Sequence, residues 1–209
     1  MLHDGADPDH PVADPAGGVL RAPEIGARPM TVDQVSLLLA LLAGVALAVT
    51  IAIAVVAYSA RRSAAIADRW SAWRDEFGMT ALLAAAIVAF TATAGSLYLS
   101  EVANFPPCRL CWYQRIAEYP LGPLLLLAWI RRDHGIRPYV VLLAGLGAVI
   151  STYHVLLERI PSLETGSCEL DNPCSIRWVE HFGFVTIPVM ALCTFATVIA
   201  LTLTVPKES

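Results

Sequence analysis

Five apolar segments, approximately 34–58, 79–100, 111–130, 138–157 and 184–205, run through this chain of 209 residues. Each comes close to the ~20 residues that an α-helix needs to cross the hydrocarbon core of a bilayer. With 56% hydrophobic residues and a mean hydropathy of +0.61, the chain is too apolar for a soluble globular surface. In hydrocarbon every backbone N–H and C=O needs an internal partner, so segments of this length form helices. The sequence predicts an all-α membrane protein with five transmembrane helices.

The charges predict which way those helices run. Arg61, Arg62, Arg69 and Arg74 follow the first segment, and Arg131, Arg132 and Arg137 follow the third. The positive-inside rule places both connections, and Lys207 at the end, in the cytoplasm. The stretch before the first helix, the connection at 101–110 and the longer one at 158–183 then face outward. Residues 1–33, rich in Asp, Pro and Gly and without an apolar period, are expected to form a flexible acidic tail. That tail has no short apolar stretch with a cleavage site, which argues against a removable signal peptide. The net charge of −4 comes without a basic run, so nucleic acid is not an expected partner.

By this topology four of the five cysteines, Cys108, Cys111, Cys168 and Cys174, lie on the oxidising side, where disulfides persist. Arginine counting takes no account of cysteines, so the agreement is independent of any motif. Cys108 and Cys111 form a C-x-x-C pair behind Pro106 and Pro107, at the start of the third segment. Proline is tolerated just before or within a first helical turn, so a helix should begin close to Cys108. Cys111 would then lie in or near the first turn, where free N–H groups and the helix dipole favour a thiolate. Arg115, four residues further on, shares the helix face of Cys111 and adds a cation to the same sulfur. A C-x-x-C pair alone serves redox chemistry, half a zinc site or structure.

Cys168 and Cys174 lie in the long outward loop, separated by five residues. A bond between them closes so short a loop that it gives only about 2–2.5 kcal/mol as a staple in the chain-entropy model. An exposed redox pair that meets a protein partner uses the position better. Four thiolates also suit zinc, but zinc ribbons usually pair two tight C-x-x-C knuckles, and the second pair here is wider. No metal is therefore expected. Arg177, Trp178, Glu180, His181 and Phe182 have the mixed composition of a segment lying at the membrane surface. The first helix, all Ala, Leu, Val and Ile in character, is expected to be a plain membrane anchor, and Cys193 a small buried hydrophobe.

The run Cys108-Arg109-Leu110-Cys111-Trp112-Tyr113-Gln114-Arg115-Ile116, with Tyr119-Pro120-Leu121 after it, closely resembles the signature of the DsbB disulfide bond formation proteins, particularly their short-loop BdbC-like branch. Pro173-Cys174-Ser175, the run Phe182-Gly183-Phe184-Val185-Thr186-Ile187-Pro188, and Tyr153-His154 with Leu156-Leu157 resemble later parts of that branch. The resemblance covers about 79–205. It implies a four-helix bundle core, to which 34–58 adds one N-terminal transmembrane helix, 59–78 a cytoplasmic connection and 206–209 a cytoplasmic end. It implies an enzyme of the bacterial plasma membrane that oxidises a thioredoxin-like extracytoplasmic thiol oxidase and passes the electrons to the quinone pool, menaquinone or ubiquinone, a system that keeps a periplasm oxidising. Carried over by position, Cys108 and Cys111 are the quinone-side pair, Cys168 and Cys174 the partner-side pair, and Arg115 the quinone-site arginine.

Two further ionisable residues fall in apolar segments. Glu118, three residues from Arg115, is either that arginine's ion-pair partner or a proton path to reduced quinone. His154 either hydrogen-bonds a quinone carbonyl or faces the interface. The rival readings are a non-enzymatic membrane subunit braced by disulfides, and a protein binding metal through its four cysteines.

The orientation has a direct check. In a variant lacking the native cysteines, Thr165→Cys should react with an impermeant maleimide from outside intact cells. Ala65→Cys should react only after permeabilisation, and its labelling from outside overturns the topology.

Overall fold

The computed structural model describes residues 30–163, 168 and 172–206. The acidic tail, most of the 164–171 stretch and residues 207–209 lie outside the described residues.

Among the described residues, six α-helices account for the architecture. Helix α1 (Val32–Ala60) starts at a capping box in which the Thr31 side chain accepts from Gln34 N–H and Gln34 accepts from Thr31 N–H. Helix α2 (Ala64–Leu97) continues into a π-turn at Tyr98–Val102. It begins well before the apolar segment at 79, so most of the expected 59–78 connection is helical. Trp70, Trp73 and Phe77 stack along that extension, with ring centroids 5.2 and 5.8 Å apart. Such i, i+3 and i, i+4 neighbours share a helix face, which stabilises a helix that leaves the apolar zone.

The third apolar segment is two helices, α3 (Arg109–Glu118) and α4 (Leu121–Arg131). Pro120 divides them. It has no N–H for the Ile116 carbonyl, and its ring clashes with that carbonyl. Tyr119 N–H still bonds to Arg115 O at 2.9 Å, and the ladder resumes when Leu124 N–H bonds to Pro120 O at 3.1 Å. Arg132, at φ 53°, ends α4 in the left-handed region. Helices α5 (Arg137–Arg159) and α6 (Ile187–Thr204) complete the set. Within the stretch expected as plain loop, strands β1 (Glu180–His181) and β2 (Val185–Thr186) pair antiparallel. Three residues, Phe182 to Phe184, connect them: Phe182 and Gly183 take φ 54° and 74°, and Phe184 N–H bonds back to His181 O at 3.2 Å, a turn with positive φ at both central residues.

Four helices, α1, α2, α5 and α6, are each long and apolar enough to cross a membrane alone, and the chain is an all-α membrane protein. Leu82 and Ala85 of α2, Leu121 and Leu125 of α4, Val140 and Ala144 of α5 and Phe195 and Val198 of α6 form one buried core. The four-segment bundle is closed by small residues: a side chain on Gly147 would overlap the Phe195 ring. Between apolar helices without a hydrophobic driving force, close approach and hydrogen bonds do the packing. Helix α1 is docked in the same way. Its Leu39 packs against Gly95 of α2, its Thr50 hydroxyl lies 2.9 Å from that of Thr197 on α6, and Thr197 Oγ1 also lies 3.0 Å from Ala46 O.

The cysteines and the arginine-rich connections occupy opposite ends. At one end Ser36 of α1 meets His181 at 2.9 Å, and at the other Arg74 donates to Thr204 O at 3.0 Å.

The glycine contact predicts a packing effect. Gly147→Leu should lower the melting temperature in detergent, by about 1–3 kcal/mol of overpacking, whereas Gly145→Leu, with open space around it, should not. Equal melting temperatures for the two variants contradict this packing.

Candidate functional site: two cysteine pairs and an apolar cleft

Helix α3 starts where the prolines require, and its cap is a sulfur. Cys108 is the N-cap, in extended backbone at ψ 172°, and its Sγ accepts the Cys111 N–H at 3.3 Å. The sequence argument gave the free N–H groups of the first turn to Cys111. The geometry gives one of them to Cys108, because a cap side chain reaches back over the N3 donor. The two sulfurs are 2.8 Å apart, so the pair is within reach of bond formation. Cys108 precedes the first residue of α3 and lies outside the spanning helices. The hydrogen bond from the Cys111 thiol, and then His154 beside it, hold its thiol well below the usual range, at about 5, against the opposing effect of burial. A thiolate is both the nucleophile and the better leaving group in exchange.

His154 of α5 sits behind this pair. It is 3% exposed and faces neither the interface nor the apolar cleft described below. Its Nε2 lies 3.0 Å from the Cys174 carbonyl and 3.8 Å from Cys108 Sγ, and its Nδ1 lies 3.0 Å from Gln114 Nε2. A carbonyl only accepts, so Nε2 carries the proton; in the neutral ring Nδ1 then accepts from Gln114. The imidazole thus ties together the helix with the C-x-x-C pair and the loop with the second pair.

Cys168 and Cys174 form a disulfide with Cα atoms 5.8 Å apart. Cys174 is buried in one cluster with Cys108, Leu110 and Leu157, while Cys168 is half-buried at its edge. Asn172 donates to Pro106 O at 3.4 Å, Arg177 donates to the Glu158 carbonyl at 2.6 Å, and Thr186 donates to the Glu158 carboxylate at 2.6 Å. These bonds fasten the end of the loop over the start of α3. A cavity of about 20 Å³, the size of one water, is bordered by Cys108, Cys111, His154 and Glu158.

On its other side the pair opens into a cleft of about 420 Å³ between α1, α2, α3 and α6. Cys111, Gln114, Arg115 and Glu118 line one end, and the remainder is overwhelmingly apolar. Arg115 is fixed there: Nε donates to Ser96 Oγ at 3.1 Å, Nη2 donates to Ser96 O at 3.0 Å, and the guanidinium lies over the Trp112 ring at 5.2 Å. Glu118, 7% exposed, does not pair with it. Both carboxylate oxygens lack a hydrogen-bond partner among the described residues. The i, i+3 spacing makes that ion pair possible, but Ser96 of the neighbouring helix takes the arginine instead. Trp178 stacks on Phe105 at 5.4 Å and borders both cavities, so it is part of the site rather than a surface anchor alone. Cys193 is buried away from the pairs, in another cluster.

Cys108, Cys111, Cys174, His154, Arg115 and Glu118 are thus brought to one end of the bundle, with Cys168 at the margin. Gln114 and Glu158 escaped the sequence argument. Gln114 stood in the motif, and only its contact with His154 gives it a task; Glu158 carried no signal beyond being ionisable near a helix end.

Residues 78–207 match the family described as disulfide bond formation protein DsbB. The chain is 40% identical over 124 residues to a probable disulfide formation protein of Oceanobacillus iheyensis, an overlap of 58% of this chain and 86% of that one. It is 43% identical over 119 residues to disulfide bond formation protein C of Bacillus subtilis, covering 56% of this chain and 86% of that one. No solved structure matches the chain. Carrying its paired cysteines on a bundle whose core is the matched region, the chain belongs to the DsbB family of disulfide bond formation proteins.

Proposed function

We propose that the protein is a thiol:quinone oxidoreductase that reoxidises a thioredoxin-like dithiol protein outside the plasma membrane and hands the electrons to a membrane quinone. The observation that carries this reading is the position of the C-x-x-C pair: Cys108 packs beside the loop disulfide, and Cys111 lines the apolar cleft. One pair thereby touches both ends of an electron path. A pair that only braced a loop needs no such cleft, no fixed arginine and no buried imidazole beside it. A site for metal through four thiolates is disfavoured because Cys168 and Cys174 bond to each other. His154 Nε2, the nitrogen nearest Cys108, is occupied as a donor to a carbonyl.

The relay starts when a partner thiolate attacks the loop disulfide at Cys168, its more accessible sulfur, and the partner leaves as a disulfide. Cys174, now a thiolate, attacks Cys108 of an oxidised Cys108–Cys111 pair and releases the Cys111 thiolate. Cys168 then attacks Cys174, re-forms the loop disulfide and frees Cys108. Two electrons have moved inward, and His154, with the water-sized cavity beside it, is placed to hold a proton between Cys108 and the loop.

The cleft has the size and largely apolar lining that an isoprenoid quinone needs, with its ionisable groups at one end. When bound there, a quinone accepts the two electrons and two protons. Arg115, already oriented by Ser96, presents donors where negative charge develops, without reorganising at the moment of reaction. Glu118, buried and unpartnered at the same end, is placed to hold a proton for the reduced ring.

Two sets of variants test the reading. Cys108, Cys111, Cys168 and Cys174, each replaced by Ala, should abolish quinone reduction by a reduced thioredoxin-like protein, while Cys193→Ala should retain it; full turnover by Cys168→Ala refutes the two-pair relay. Arg115→Ala should lower kcat/KM for quinone on the order of 10–1000-fold, as for the loss of one charged donor. Lysine should rescue in part, since it keeps the charge and loses the planar fork. Single-turnover exchange between the loop pair and the partner should change little, and equal slowing of both steps makes Arg115 a folding residue.

A further inference from the structure

Helix α1 precedes the matched residues 78–207, and its apolar composition suggests no task beyond anchoring. The cleft gives it one. Leu39, Leu42, Ala43, Val45, Ala46 and Val49 of α1 all line that cleft. They recur at spacings of three and four residues, which is one face of a helix. The opposite surface, Ile51 and Val55 among it, points away and is exposed.

Along α2 and the π-turn that continues it the lining runs from Ala84 to Ser100, sixteen residue steps or about 24 Å at 1.5 Å each. That length far exceeds a quinone ring. The polar groups that suit a ring stand at one end, with Cys111 and Arg115, and the α1 residues extend from there along the apolar length. Helix α1 is held in this position by bonds at two levels. Ser36, buried, meets His181 at 2.9 Å at the cysteine end, and Thr50 with Ala46 engages Thr197 of α6 about four turns further along. Leu39 packed onto Gly95 fixes the helix against α2 as well.

We infer that α1 is the fourth wall of the quinone site, a built-in tail-binding helix whose inward face around Leu42 and Ala46 holds the isoprenoid tail and sets which tail lengths are used. Without that wall, α2, α3 and α6 would leave the cleft open along one side to lipid acyl chains. The inference rests on the reading of the cleft as the quinone site. It assigns to α1 tail recognition only, because Cys111, Arg115 and Glu118 are all on α3.

The test uses the full chain in detergent–lipid micelles and quinones that differ only in tail length. Leu42→Trp fills the cleft from α1, and Ile51→Trp places the same bulk on the outer face. For a long-tailed quinone Leu42→Trp should raise KM on the order of ten-fold, the range seen when pocket volume changes by a few methylenes. For a tail-less quinone it should change KM less than about two-fold, and Ile51→Trp should change neither. Melting temperatures of the two variants keep a folding defect from passing as a binding effect. A second readout needs no turnover: a quinone carrying a photoreactive diazirine at the end of its tail should crosslink to residues 39–49. Crosslinks confined to α2 and α6, or tail-length dependence equal in the two variants, overturn the role of α1 and leave the quinone site standing. A photoreactive phospholipid that labels the Leu42 face and is not displaced by quinone also overturns it. Native protein that neither binds nor reduces any quinone overturns the reading of the cleft, and the inference with it.

Discussion

The start of α3 fixes everything at the cysteine end. Pro106 and Pro107 cannot continue a helix, so the backbone enters α3 in an extended conformation and Cys108 becomes the cap. Its sulfur then satisfies a donor that the helix cannot satisfy itself. From that one position follow the approach of Cys111, the proximity of His154 and the burial of Cys174 against Cys108. An ordinary serine or aspartate cap would hold the helix equally well and leave no sulfur at the junction.

The second constraint is the hydrocarbon. Polar groups are few in this bundle, and most of the buried ones are bonded. Thr194 and Thr197 return their hydroxyls to carbonyls one turn earlier, which leaves Thr197 free to accept from its neighbour on α1. Arg115 is satisfied by Ser96 on α2 and covered by Trp112. Among the described residues the buried hydroxyls of Thr93, Ser151 and Thr202 and both carboxylate oxygens of Glu118 have no partner. Glu118 is the most costly of these, and it lies on the cleft wall. The break at Pro120 belongs to the same economy, since α3 and α4 each keep their own ladder and the freed Ile116 carbonyl falls at the junction.

These constraints make the loop between α5 and α6 a fastened arm rather than a free one where it nears the site. Arg177 and Thr186 both bond to Glu158, the β-hairpin seats His181 against Ser36 of α1, and Asn172 bonds to the approach of α3. These bonds hold the Cys174 end of the loop in one geometry against the start of α3.

The sequence by itself determined the class of structure and the identity of most of the site. Apolar length dictates helices in a bilayer, prolines dictate where α3 begins, and the C-x-x-C run with its arginine marks the chemistry, because each signal is local along the chain. Only the tertiary structure decided which sulfur caps α3, that His154 faces the sulfurs instead of the cleft, and that Ser96 displaces Glu118 as the partner of Arg115. Only it turned α1 from an apolar segment into a wall of the site. The reason is physical. Spacing along one helix determines which residues share a face, but what that face meets depends on the neighbouring helices, whose register is set by close packing at positions such as Gly95 and Gly147.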